Sequence, residues 1–150
     1  MALTKNNTMS AFNSAIVLMQ SEFKSFIRNK FKENNIDLTF EMLQVLVLLW
    51  KKEGANQQEL ANLLHKDKAS LTYLIDNLSK RKLVQRTEDP DDRRNKRISL
   101  LPEGTKLYNL IQPWIDEMYS IAGRDIPLQQ FKDGIILFEK MQDNLRKANG

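Results

Sequence analysis

The chain of 150 residues has no cysteine, which removes disulfides, thiolate metal sites, cysteine nucleophiles and thiol-based redox sensing together. With one histidine, His65, a zinc site would need carboxylates for nearly all its ligands. Glycine and proline are scarce, at five and four residues, so collagen-like, linker and disordered classes are excluded and helix is favoured. The longest apolar run, Val45 to Trp50, is far short of the roughly 20 residues of a spanning helix. The opening MALTKNNTMS has neither a basic segment leading into a sufficient apolar stretch nor a lipidation motif. These absences lead to the expectation of a soluble, cytoplasmic protein without a cofactor, a metal or a membrane partner.

What is present is one domain's worth of chain, or one domain with an added dimerisation element. At 41% hydrophobic and 28% charged residues, the composition is that of an ordinary globular protein. The net charge of +4 is small, but residues 65 to 97 hold ten cations against six carboxylates. The whole excess therefore lies in one continuous stretch, as in a footprint for a polyanion or, equally, a solvated basic face.

Hydrophobic periodicity predicts a long first helix from about Ser10 to Lys32 and a nearly all-apolar second one between Thr39 and Lys51-Lys52. Asn56 and Glu59 have the spacing of a capping box opening a short third helix through Leu64. Asp67 caps a fourth, Lys68 to Arg81, with Leu71, Leu74, Ile75 and Leu78 inward and Lys68, Ala69, Ser70, Thr72, Tyr73, Asp76 and Asn77 outward. Two short helices joined by a tight turn are a helix-turn-helix candidate. The period then alternates in Val84 to Thr87 and Lys96 to Leu100, two strands around a charged Pro-Asp tip. Two amphipathic helices follow, about Glu103 to Ala122 and Leu128 to Lys147, with Pro113 expected to kink the first or shift its register. The fold class is mainly α with a small β-hairpin.

A helix that reads DNA in the major groove needs short polar side chains near its start and cations beside them. Ser70, Thr72 and Tyr73, with Lys68 before them and Asn77 after, meet that description. Arg93, Arg94, Lys96 and Arg97 gather on the hairpin, where an arginine gains from the focused negative potential of a narrow minor groove. Asp92 is placed to orient the Arg94 guanidinium.

The order helix, capped helix, polar helix and then EDPDDRRNKRISLLPEG resembles the MarR family of winged helix-turn-helix regulators over about residues 38 to 105. Asp92, Arg94 and Leu100 match the wing signature, and Lys66 to Thr72 together with Lys80 to Val84 resemble the recognition helix and its exit. The resemblance implies a single unit over 1–150, with a winged-helix DNA-binding lobe at 38–100 and dimerisation helices at 8–33 and 103–148. It also implies a homodimer on a pseudo-palindromic operator, usually a repressor. Release by a small aromatic or lipophilic effector stays open, in a pocket holding residues such as Phe23, Phe26, Trp50 or Trp114, for which packing is the commoner role. Three positions depart from the pattern. Lys82 stands where a small residue is usual, so a left-handed cap there would cost about 1 kcal/mol more than with glycine; Tyr73 stands where arginine is frequent, and Leu101 in place of a capping threonine.

Two other readings are weaker. Glu88, Asp89, Asp91 and Asp92 form a carboxylate cluster that could hold Mg²⁺, but no P-loop or nucleophile-base pair accompanies it. A helical adaptor that binds a protein partner fits the terminal helices but leaves the arginines of the hairpin tip unexplained.

Overall fold

A computed structural model describes residues 4–150; Met1 to Leu3, part of the segment read above for a leader, lie outside it. The elements run α1 (Lys5–Glu33), α2 (Phe40–Lys51), β1 (Ala55–Asn56), α3 (Gln57–Leu64), α4 (Lys68–Lys80), β2 (Val84–Glu88), β3 (Lys96–Leu100), α5 (Pro102–Ala122) and α6 (Leu128–Ala148). Among the described residues no helix is long and apolar enough to cross a membrane.

Helix α1 begins five residues before the expected start at Ser10, because Thr4 accepts the Asn7 N–H at 3.1 Å and extending a nucleated, capped helix through polar residues costs little. It stops where Asn35 turns left-handed (φ 55) and the Ile36 N–H bonds back to the Phe31 carbonyl at 2.9 Å, a Schellman closure. Helix α2, capped by Thr39, buries Met42, Leu43, Val45, Leu46 and Leu49. It is the central element that the apolar run predicts. Around it close Ile27 and Phe31 of α1, Leu60, Leu71, Ile75 and Leu78 of the helix pair, Val84 and Ile98 of the hairpin, and Ile111 of α5.

The sheet has three strands rather than the two expected, in the order β1-β3-β2 and antiparallel throughout. Ala55 lies opposite Ile98 and Asn56 opposite Arg97, while β2 pairs with β3 from Val84↔Leu100 to Glu88↔Lys96. A two-residue strand is too short to display alternation, which is why periodicity missed β1. The same strand alters the predicted capping box. Asn56 Oδ1 does accept the Glu59 N–H at 2.8 Å, but Glu59 Oε1 meets the Asn56 side-chain amide at 3.0 Å instead of its backbone N–H, because Asn56 is already part of the sheet.

Helix α4 closes with a second Schellman motif: Lys82 is left-handed (φ 59), and the Leu83 N–H reaches the Leu78 carbonyl at 3.0 Å. The strain anticipated at Lys82 is therefore present. Lys82→Gly is expected to raise unfolding stability by about 1 kcal/mol, since glycine adopts this conformation without a Cβ penalty. A urea titration showing no gain would remove the strain.

Helix α5 continues without a break through Pro113. The proline is exposed, and so is Asn109, whose carbonyl it cannot serve, so the unserved carbonyl lies on a face open to solvent. The chain divides into two units, Met1–Ile115 and Asp116–Gly150. The second holds the end of α5, a left-handed turn at Asp125 (φ 61) and α6, none of whose side chains is buried.

Candidate nucleic-acid interface

The α3–α4 turn is built by paired end-signals. His65, left-handed at φ 50, ends α3, and two residues later Asp67 opens α4 by accepting the Ser70 N–H at 2.7 Å. That backbone bond, then the Ser70 hydroxyl, then the Ala69 N–H and Lys66 hold the Asp67 carboxyl below the usual carboxylate range. The cap thus stays ionised well into acid, and its contribution to the folded state is lost only as the pH falls through that lowered value.

The candidate residues of α4 do not all share one surface. Lys68 lines a cleft of about 470 Å³ with Gln57, Gln58, Lys66, Arg94 and Lys96, between the helix turn and the hairpin. Ser70 and Tyr73, with Ala69, lie along a separate shallow groove bordered by Lys66 and Glu41. Thr72 corrects its placement on the outer face: it is half-buried, and its hydroxyl accepts the Gln57 amide at 2.8 Å. The reason is helical geometry, since Thr72 sits next to the inward stripe of Leu71 and Ile75 and faces the neighbouring α3. Asn77 is also half-buried, its amide nitrogen donating to the Tyr73 carbonyl at 3.0 Å.

The hairpin tip is two consecutive aspartate-initiated turns. Asp89 Oδ1 accepts the Asp91 N–H at 3.0 Å and Asp92 Oδ1 the Arg94 N–H at 3.0 Å; the Asp92 and Asn95 N–H groups return to the carbonyls of Asp89 and Asp92. Asp92 therefore positions Arg94 through the backbone, which revises the expected grip on the guanidinium. The local bond is cheaper to make, because it orders no long side chain. Arg93 and Arg94 are both exposed, but only Arg94 lines the cleft. Lys96 also lines it, at 3.7 Å from Glu88 across the last pair of the hairpin.

Sequence reasoning missed two residues that hold the parts together. Gln57, the first residue of α3, braces Thr72. Arg86, on β2, reaches back to α4, at 2.6 Å from Asp76 Oδ1 and 3.4 Å from the Thr72 carbonyl. The only signal for Arg86 was a cation at an alternating position of a strand, which also describes a solvated one. Of the aromatics considered as cavity linings, Trp50 stacks on Tyr108 with centroids 4.7 Å apart, and Trp114 packs edge-on to Phe31 at 6.4 Å.

The cleft wall thus presents four cations, Lys66, Lys68, Arg94 and Lys96, from two separate elements. Its two carboxylates, Asp67 and Asp92, each already accept a backbone N–H. Such a surface is complementary in charge to a polyanion backbone.

The sequence profile of the MarR family matches residues 38–96. The transcriptional regulator FarR of Neisseria gonorrhoeae is 31% identical over 116 residues, covering 75% of this chain and 79% of that protein. Solved structures share the fold. The S. aureus MepR–DNA complex superposes with a TM-score of 0.77 at 24% identity over 89% of this chain and 97% of MepR. A single-site mutant of MarR from E. coli, complexed with operator DNA, gives a TM-score of 0.77 at 16% identity over 92% of this chain and 98% of that one.

Proposed function

Because the chain belongs to the MarR family of winged-helix transcriptional regulators and is not an enzyme, we propose that it binds duplex DNA as a homodimer on a pseudo-palindromic operator and represses transcription there. The observation that carries the reading is the cleft in which Lys66 and Lys68 of the helix turn face Arg94 and Lys96 of the wing. The winged-helix lobe is residues 38–100; Lys68, Lys96 and Arg93 hold phosphates, Ser70 and Tyr73 face bases, and Thr72 and Asn77 shape the reading helix from within. Arg94, set by Asp92, enters the minor groove.

The dimerisation helices are 8–33 and 103–148. Supporting this, Leu128, Phe131, Ile135 and Phe138 recur along α6 at three- and four-residue steps and are all exposed. In a symmetric pair the same stripe would serve both copies. Cytoplasmic location, where the DNA is, and release by a small aromatic or lipophilic ligand belong to the same proposal.

The test joins footprinting on promoter DNA to a salt titration. Lys68→Ala and Lys96→Ala are expected to weaken all duplexes alike and to flatten the salt dependence, each by about one unit of slope. Sedimentation at micromolar concentration should give a dimer. A species of only 17.5 kDa would overturn the dimer, and salt-independent binding would overturn the phosphate role.

A further inference from the structure

Resting on the DNA-binding reading above, we propose that α4 reads thymine, through the C5-methyl group in the major groove, and that Tyr73 with Ala69 forms the contact. Two of the polar groups expected to read base edges, those of Thr72 and Asn77, are engaged inside the protein. The Thr72 hydroxyl accepts from Gln57, and the Asn77 amide donates to the Tyr73 carbonyl. Half-buried, Asn77 has one amide N–H already spent, and the Thr72 hydroxyl is turned towards α3 with its oxygen occupied.

Between Lys68 and Lys80 the helix carries no arginine or lysine. Guanine, read most often by those two side chains, therefore has no reader in the middle of the helix. Lys68 turns to the wing cleft, and Lys80 is near the far end, seven residues and about 10 Å beyond Tyr73. Beside the short Ser70 side chain, what faces outward at the start of the helix is a methyl group and a large ring: Ala69 is exposed, and Tyr73 is 68% exposed while lining the same groove as Ala69 and Ser70. An uncovered aromatic ring beside an alanine is a surface that gains by burying a methyl group. In the major groove the methyl belongs to thymine alone among the four bases.

The test begins with selection of bound sites from a randomised duplex library by the full-length protein. The strongest site is then resynthesised with deoxyuridine replacing thymidine one position at a time, a change that deletes the methyl and leaves pairing and hydrogen bonds intact. At one or two positions in each half-site, uracil should weaken wild-type binding about three- to fivefold, the value of one buried methyl group. Tyr73→Phe should keep that discrimination, Tyr73→Ala should abolish it, and Tyr73→Arg should move the selected base towards guanine. Because the side chain is exposed, circular dichroism should be unchanged in all three. Equal affinity for thymine and uracil at every position, or selected half-sites anchored on guanine by the wild-type protein, would overturn the proposal while leaving DNA binding intact. Absence of any enriched sequence would instead overturn the operator-binding reading on which it rests.

Discussion

Arg94→Ala is expected to weaken binding to operator DNA about tenfold or more, the scale of one charge-assisted contact, whereas Arg97→Ala, removing the same charge, costs distinctly less. The difference lies in what each side chain is attached to. Arg94 follows the Asp92 turn, its N–H held at 3.0 Å, so its stem leaves the tip from a fixed backbone and lines the cleft. Arg97 is in β3 opposite Thr87 and Asn56, and its guanidinium lies over Gly54, where an added Cβ would stand 2.7 Å from Nε. From there its charge reaches at most a phosphate.

An arginine in a narrow groove responds to groove width, so the Arg94→Ala loss should be larger on A·T-rich flanks than on the same core with G·C-rich flanks. Arg94→Lys should recover only part, since lysine is more strongly hydrated and lacks the planar fork. Binding isotherms on both flanks at one salt concentration decide it. Equal losses for Arg94→Ala and Arg97→Ala on both DNAs would reduce the wing to a diffuse charge.

Gly104→Ala is expected to destabilise the fold by about 1–3 kcal/mol, although alanine is normally the better helix former by about 1 kcal/mol. Gly104 lies in the first turns of α5, and a Cβ there would stand 2.1 Å from the Leu83 carbonyl oxygen and 3.2 Å from Leu100 Cδ2. The oxygen is backbone and already accepts the Leu101 N–H at 2.9 Å, so no side-chain rotation relieves the clash. The α5 helix or the segment between α4 and the wing must move. Steric exclusion therefore outweighs propensity, and since Leu83 directly follows the α4 cap, the displacement should also loosen the reading helix. Thermal and urea unfolding measure the loss, and a variant as stable as the wild type would show that the two segments separate freely.

The starts of α2, α3 and α4 were readable because their signals are local. A Thr, Asn or Asp side chain caps a backbone N–H three residues on, and Thr39, Asn56 and Asp67 all do so here. Composition alone pointed to helices, period change located the hairpin, and the uneven placement of charge drew attention to residues 65 to 97. The strain at Lys82 was likewise visible, because it follows from one residue type at one backbone position. Asn35 and His65 adopt the same left-handed conformation, also by local rules.

The remainder depended on what lies across the fold. Strand β1 exists because Ala55 and Asn56 meet β3 from more than forty residues away, and two residues carry no periodicity of their own. Gln57 and Arg86 became bracing residues only when α3, α4 and the wing were assembled around Thr72 and Asp76. Thr72 was assigned outward by a helical wheel, which knows the axis of its own helix but not the helix packed beside it. Sequence by itself thus determined the helices and the hairpin, the caps at Thr39, Asn56 and Asp67, and where the positive charge collects, since those are set by neighbours within a turn or two. Which polar groups are already spent inside the protein, and which remain on α4 to meet another molecule, was decided by tertiary structure alone, because a hydrogen bond between distant segments leaves no period in the chain.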